Sequence, residues 1–236
     1  MSVQHGSAAW KNRLTIPTYR IGEAACYARI SPQTVSAWHK SRGKDARSTL
    51  SEKEPNRALS FLQLIEMAVV ADMRRAGVKL KEIREAREDM IRETGLAYPF
   101  AQLKFKTDGA DIFREVEGPL GDVLTDRLLA HNHGGQYFWT AFIQRKLEAF
   151  NYDDDGTAIS WKVAGSDKEV EINPKLSFGA PQVGGVKTSL IKTRFAIGEE
   201  VDEIASDYGL EEGQVIEALL FERIFPEDRR LSRWIN

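Results

Sequence analysis

The nine residues SPQTVSAWH, positions 31–39, decide how the front of this chain is read. Ser31 is a favourable N-cap, and Pro32 suits the first helical position, where no amide hydrogen is needed. The helix they start has only Val35 and Trp38 to bury. Its remaining positions, Gln33, Thr34, Ser36, Ala37 and His39, make a small, polar outer face. Just before it, YRIGEAACYARI (19–30) places Ile21, Ala24, Ala25 and Ala28 at helical spacing, and Arg29-Ile30-Ser31 makes a short turn. Two short helices, a tight turn and a polar outer face describe a helix-turn-helix. Small side chains let the second helix sit deep in a major groove. Ser31, Gln33, Thr34, Ser36 and His39 have the hydrogen-bonding chemistry to read base edges there.

The charge distribution agrees. The net charge is only −2, but it is unevenly spread. Residues 1–58 hold ten Lys/Arg against four Asp/Glu, a balance of +6; residues 59–95 balance at zero. Residues 96–174 carry −5 and residues 175–236 carry −3. The run HKSRGKDARSTLSEKEPNR (39–57) sets Lys40, Arg42, Lys44, Arg47, Lys53 and Arg57 among Gly and Ser directly after the polar helix. It reads as a basic wing that touches phosphates. The same pattern would also serve a plain packing motif beside a solvated loop; the basic run next to the polar helix favours DNA.

Tyr19-Arg20-Ile21, Glu23-Ala24-Ala25, Thr34-Val35 and Trp38 resemble the start of a MerR-type winged helix, and so does the later run ALSFLQLIEMAVVADMRRAGVKLKEIREAREDM. The resemblance covers residues 18–93 and implies a wing strand, a long helix and a second helix after "AGV". It adds Arg20 and the wing cations Lys40, Arg42, Lys44 and Arg47 to the DNA-contacting set. The long coiled coil and effector site with which MerR regulators usually end do not follow here, so promoter untwisting and metal sensing are not implied.

Beyond the reader, Leu62, Ile65, Val69 and Met73 keep to one face of a helix over 61–76 that Gly77 ends. Leu80, Ile83, Ala86 and Met90 line another over 78–93. Tyr98-Pro99 breaks the helical pattern. AQLKFKTDGADIFREVEG (101–118) reads as a hairpin turning at Asp108-Gly109, and GQYFWTAFIQRKLEAF (135–150) as an amphipathic helix. NYDDDGTAISWKV (151–163) reads as a second hairpin turning at Asp155-Gly156, and EVEINP as a short strand. Asp153-Asp154-Asp155-Gly156 has the letters of a calcium loop, but Ala164 stands where the acidic twelfth ligand belongs. His131-Asn132-His133 has letters of a nuclease motif without the further ligands such a site requires.

No Ser-His-Asp, Cys-His, CxxC or phosphate-cradling glycine pattern stands out, so neither an enzyme nor a cofactor is expected. An unrecognised catalytic site is the rival reading. The lone Cys26 excludes an internal disulfide framework, fits a reducing cytosol and is expected to pack as a small hydrophobe. No stretch is long and apolar enough to span a bilayer, and the first residues lack a signal-peptide core, so a cytoplasmic location is expected.

SLIKTRFAIGEEVDEIASDYGLEEGQVIEALLFERIF (189–225) reads as three short helices, again a helix-turn-helix, but the second helix of the pair carries Glu211, Glu212, Glu217 and Glu222. Carboxylates facing phosphates repel, so a dimerisation or partner surface is expected in place of a second DNA reader. Lys187, Lys192 and Arg194 favour the alternative. Over residues 172–222, Gly179, Pro181, Gly198, Glu203, Ile204, Ala205, Tyr208 and Leu210 carry a resemblance to a domain of unknown function numbered 433, with a departure at Val186-Lys187-Thr188. Such domains resemble antitoxins partnered with PIN-like ribonuclease toxins.

The whole arrangement is similar to the large VapB-type antitoxins. That resemblance implies an α+β chain: an arm (1–17), a winged helix-turn-helix (18–95), a small β-rich middle with one helix (96–174), a three-helix domain (175–225) and a tail (226–236). It implies a homodimer that represses its own operon and inhibits a PIN-like ribonuclease. The tail FPEDRRLSRWIN offers Arg229, Arg230, Arg233 and Trp234 for the toxin's acidic metal site. The arm (Trp10, Lys11, Arg13) and the middle strand edges are other candidates, and an ordinary frayed terminus is the plain alternative. A stand-alone MerR-like repressor without a toxin partner is the runner-up function.

Overall fold

The computed structural model describes residues 10–39, 49–50, 58–102 and 148–225. It mixes helix and sheet and divides into two compact units, residues 1–159 and 160–236.

In the first unit, a 3₁₀ turn at Lys11–Leu14 precedes strand β1 (Tyr19–Arg20) and helices α1 (Ile21–Tyr27) and α2 (Pro32–Trp38). The helix expected from residue 19 therefore starts two residues later. Tyr19 and Arg20 pair antiparallel with Leu59 and Ala58 of β2 (Ala58–Leu59). The propensity of residues 19–20 was overridden by a strand partner almost forty residues away, which periodicity cannot see. Ala24, Ala25 and Ala28 form the buried face of α1 as the spacing predicts. Cys26 is exposed, correcting the expectation that it packs. At about 100° per residue it falls on the far side of the helix from Ala24 and Ala28.

Helix α3 (Phe61–Arg75) starts with a reciprocal cap. The Ser60 amide donates to Gln63 Oε1 at 2.9 Å, and the Gln63 amide donates to Ser60 Oγ at 3.3 Å. The sequence predicts one buried face; in the structure every residue from Phe61 to Ala71 is buried, Glu66 included. Helix α4 (Leu80–Thr94) keeps the expected amphipathic form and ends at Gly95, whose φ of 71° glycine adopts without strain. Pro99 does not only break a helix. It opens a short one, α5 (Pro99–Gln102), whose Phe100 is fully buried. Arg87 of α4 reaches the buried Glu66 of α3: Nη2 donates to Oε2 at 3.1 Å and Nε to Oε1 at 3.2 Å. Arg87 Nη2 also donates to the Ala97 carbonyl at 2.9 Å, and the Phe100 amide donates to Glu66 Oε1 at 3.4 Å. One buried ion pair thus ties α3, α4 and the start of α5.

Phe150 belongs to strand β3 (Phe150–Tyr152), not to the amphipathic helix expected to reach it. The turn after it is the one read from Asp155-Gly156: the Asp153 amide donates to the Thr157 carbonyl at 2.9 Å and Gly156 has φ 79°. Ala101 and Gln102, the first residues of the hairpin read at 101–118, belong to α5 instead; the rest of that hairpin, the rest of the helix read over 135–150, and His131 and His133 lie outside the described residues.

Strand β4 (Ala158–Trp161) crosses into the second unit, where β5 (Glu171–Ile172), β6 (Pro181–Val183) and β7 (Val186–Lys187) follow it as an antiparallel meander. Trp161 pairs with Ile172, Ile172 with Pro181, and Val183 with Val186. Gly184 and Gly185 (φ 55° and 86°) form the two-residue turn between β6 and β7, both in the left-handed region such hairpins need. Helices α6 (Thr188–Ala196), α7 (Val201–Tyr208) and α8 (Glu212–Phe221) close over Val183, Ile191, Phe195, Ile204, Val215 and Leu219. The Gly-Gly pair gives a clean stability test. A Cβ on Gly184 would lie 2.4 Å from the Leu210 side chain, while one on Gly185 meets nothing within 4 Å. Gly185→Ala should cost about 1 kcal/mol, for the left-handed backbone alone. Gly184→Ala should cost measurably more in chemical denaturation, because Leu210 must also move. Equal losses would contradict the packing described.

Candidate nucleic-acid interface

The cap and the inner face of α2 are built as the sequence implies. The Thr34 amide donates to Ser31 Oγ at 3.1 Å, capping α2, and the Ser31 and Thr34 hydroxyls lie 2.9 Å apart. Val35 and Trp38 are buried, Gln33 is exposed, and Thr34 and Ser36 are half-buried. At the start of α1, the Arg20 amide donates to Glu23 Oε2 at 3.0 Å and the Arg20 residue is exposed. His39 departs from the expected DNA-contacting set: it is buried, 5 % exposed. It follows Val35 by four residues and so falls on the inner face of the last turn.

The turn between α1 and α2 holds Arg29 at φ 54°. Arg75, at the end of α3, donates through Nη2 to the Ala28 carbonyl at the end of α1, and its Nη1 pairs with Asp72. Burial, and then the nearby Arg29 cation, lowers the Arg75 guanidinium below its ordinary value. Arg75 ties the end of α3 to the end of α1, a contact that the motif reading missed. Forty-seven residues separate it from Ala28, and nothing local in the sequence couples them.

Lys40, Arg42, Lys44 and Arg47 lie outside the described residues, but both ends of their segment are fixed. The amides of Thr49 and Leu50 donate to the Trp38 carbonyl at 2.9 and 3.0 Å, so the chain leaves the end of α2 and returns to it. Arg84 Nε of α4 holds the Thr49 hydroxyl at 3.1 Å, and Thr49 and Leu50 are buried. The cap and the outward face of α2 can be separated by mutation. Ser31→Ala should cost about 1 kcal/mol of stability. Gln33→Ala should leave the melting temperature within a degree or two and change only binding.

In the arm, Lys11 Nζ sits between Asp153 Oδ2 (2.7 Å) and Asp155 Oδ2 (3.1 Å). Asp153 Oδ1 accepts the amides of Asp155 (3.1 Å) and Thr157 (2.9 Å). Burial alone would raise the Asp153 carboxyl, but the Lys11 and amide hydrogen bonds outweigh it and hold the group below its ordinary range. The acidic triplet is thus a turn clamped by a lysine. Among the described residues no group of three or more His, Cys, Asp or Glu is placed to hold a metal, and no helix is long and apolar enough to cross a membrane.

Of the four glutamates read on and beside α8, two are taken up by partners within the second unit. Glu217 accepts the amides of Glu169 and Val170 at 2.7 and 2.9 Å; Glu222 accepts the Thr188 hydroxyl at 2.6 Å and pairs with Lys192 at 3.3 Å. Glu211 and Glu212 stay exposed, as do Asp202, Glu203 and Asp207 of α7. Of the cations that favoured a second DNA reader, Lys192 is paired with Glu222. Arg194 is paired with Glu199 and Asp207 and lies over the Tyr208 ring at 5.0 Å. Arg229, Arg230, Arg233 and Trp234 lie outside the described residues.

No protein-family model matches the chain. It is 25 % identical over 227 residues, 88 % of this chain and 94 % of the other, to a protein of Mycobacterium tuberculosis named "Putative antitoxin VapB45". The fold resembles the X-ray crystal structure of Rv2018 from the same organism, with a TM-score of 0.65 and 24 % identity, covering 88 % of this chain and 99 % of that one.

Proposed function

We propose that this chain is the antitoxin of a type II toxin-antitoxin pair, that it binds and inhibits a PIN-like ribonuclease, and that as a homodimer it represses its own operon through α1 and α2. The observation that carries the DNA half is the anchoring at Trp38. A polar helix with Gln33 outward has both ends of a cation-rich segment tied to its last turn. That arrangement supplies a base-reading face and a phosphate-binding flank at one place. The toxin half is supported by similarity along nearly the full length to a protein named as an antitoxin, and by an acidic surface on the second unit that suits protein better than DNA.

The test is co-expression with the neighbouring gene and purification through a tag on one partner. A stable complex whose nuclease activity appears when this chain is removed supports the reading. Operator binding with no co-purifying partner would favour a stand-alone repressor. The same complex places the inhibitor segment: truncation after Pro226 removes Arg229, Arg230, Arg233 and Trp234 and should release nuclease activity, and unchanged inhibition would exclude the tail.

A further inference from the structure

In a DNA-reading helix-turn-helix the outward positions of the second helix are polar. In α8 they are not. Ile216 and Leu220, four residues apart and therefore on one face, are 37 % and 46 % exposed. Gly213 lies one turn earlier on that face, is exposed, and would meet nothing within 4 Å if it carried a Cβ. Glycine weakens a helix relative to alanine, and neither a close internal contact nor a positive φ requires it here. Exposed Glu211 and Glu212 stand at the head of the strip, with exposed Asp202 and Glu203 on the preceding helix, while Asp207 there is paired with Arg194. The glutamates that could have covered the strip, Glu217 and Glu222, are committed to the Glu169 and Val170 amides, Thr188 and Lys192.

We propose that the outer face of α8 is the docking surface for the partner protein, and that its occupant is a helix with an apolar ridge flanked by lysines and arginines. Ile216 and Leu220 supply the apolar centre, Gly213 lets the partner's backbone come close, and the carboxylates at the head of the strip select a basic rim. This rests on the antitoxin reading for the existence of a partner, and it commits α8, not the tail, as the main anchor.

The test uses the full chain and its co-purified partner. Gly213→Leu should leave the melting temperature unchanged or raised while weakening the complex roughly 30-fold, the loss typical of a blocked central contact. Leu220→Glu should weaken it similarly, and Leu190→Glu, an exposed apolar position on α6, should not. Operator binding should be unchanged in all three. Leu220→Cys in a Cys26→Ser background then reports the occupant by its alkylation rate, and protection seen only with the partner present supports the proposal. Protection in the free chain that is lost on dilution assigns the face to a second copy; protection lost on truncation after Pro226 assigns it to the tail. Either overturns it. An intact complex that tolerates Gly213→Leu and Leu220→Glu overturns this surface and leaves the antitoxin reading standing. If the wild-type chain captures no partner, that reading fails and this one with it.

Discussion

Glu66→Ala is expected to destabilise the first unit by about 3–5 kcal/mol, the usual cost of removing one partner of a buried ion pair. Glu66 is fully buried, and its carboxylate meets both Arg87 and the Phe100 amide. Arginine cannot shed its charge, so the variant leaves an uncompensated guanidinium and an amide without its acceptor. The double variant Glu66→Leu with Arg87→Met should recover most of the loss, since apolar residues of similar volume remove both desolvation penalties. Chemical denaturation of the two variants checks the coupling, and a double variant as unstable as the single one would contradict it.

The same pair sets a pH dependence. Burial raises the Glu66 carboxyl from 4.5 to about 7, against the opposing pull of Arg87 and the Phe100 amide. The folded state therefore holds this proton more tightly than the unfolded chain. Its contribution is fully present below about pH 4.5 and is lost as pH rises towards 7, by at most roughly 3 kcal/mol. Glu66→Gln cannot titrate, so its stability should be flatter across that window than that of the wild type. Parallel wild-type and Gln curves would show that Glu66 does not titrate there.

The triple replacement of Arg42, Lys44 and Arg47 by Ala is expected to weaken operator binding about 100-fold near physiological salt. Each phosphate contact contributes about 0.9 to the slope of log affinity against log salt, so three of them are worth a little over two decades at ~0.15 M. The slope should fall by roughly three while sequence preference stays intact, whereas Gln33→Ala or Thr34→Ala should relax the preference and leave the slope alone. Anisotropy titrations over a range of salt separate the two. Wild-type affinity indifferent to salt would remove phosphate contact as the basis of binding. The loss is expected to act on the DNA-bound state alone, because the segment's ends are held independently by the Trp38 carbonyl and by Arg84.

Local signals proved reliable where the physics is local. The Ser31 cap, the Val35 and Trp38 inner face, the stop at Gly77 and the turn at Asp153 to Thr157 each depend on residues within one or two turns of each other, and each is where the spacing puts it. Two readings failed because of distant partners. Residues 19–20 left the helix for a strand beside Ala58 and Leu59, and Pro99 opened a helix once the buried Glu66 could accept the Phe100 amide. His39 shows a subtler failure: its chemistry suits a base edge, but four residues after Val35 its helix phase turns it inward.

By itself, the sequence determined that two short polar-faced helices stand at a basic front and that an acidic three-helix unit stands at the rear, because capping, periodicity and formal charge are properties of neighbouring residues. Only the tertiary structure decided which charges are spent inside the protein. Arg75, Arg87, Glu217 and Glu222 are ordinary surface letters in the sequence, and each is committed to a partner at least twenty residues away in the chain. Hydrogen-bond geometry between distant segments assigns those partners, and what it leaves uncovered on α2 and α8 is the surface available for recognition.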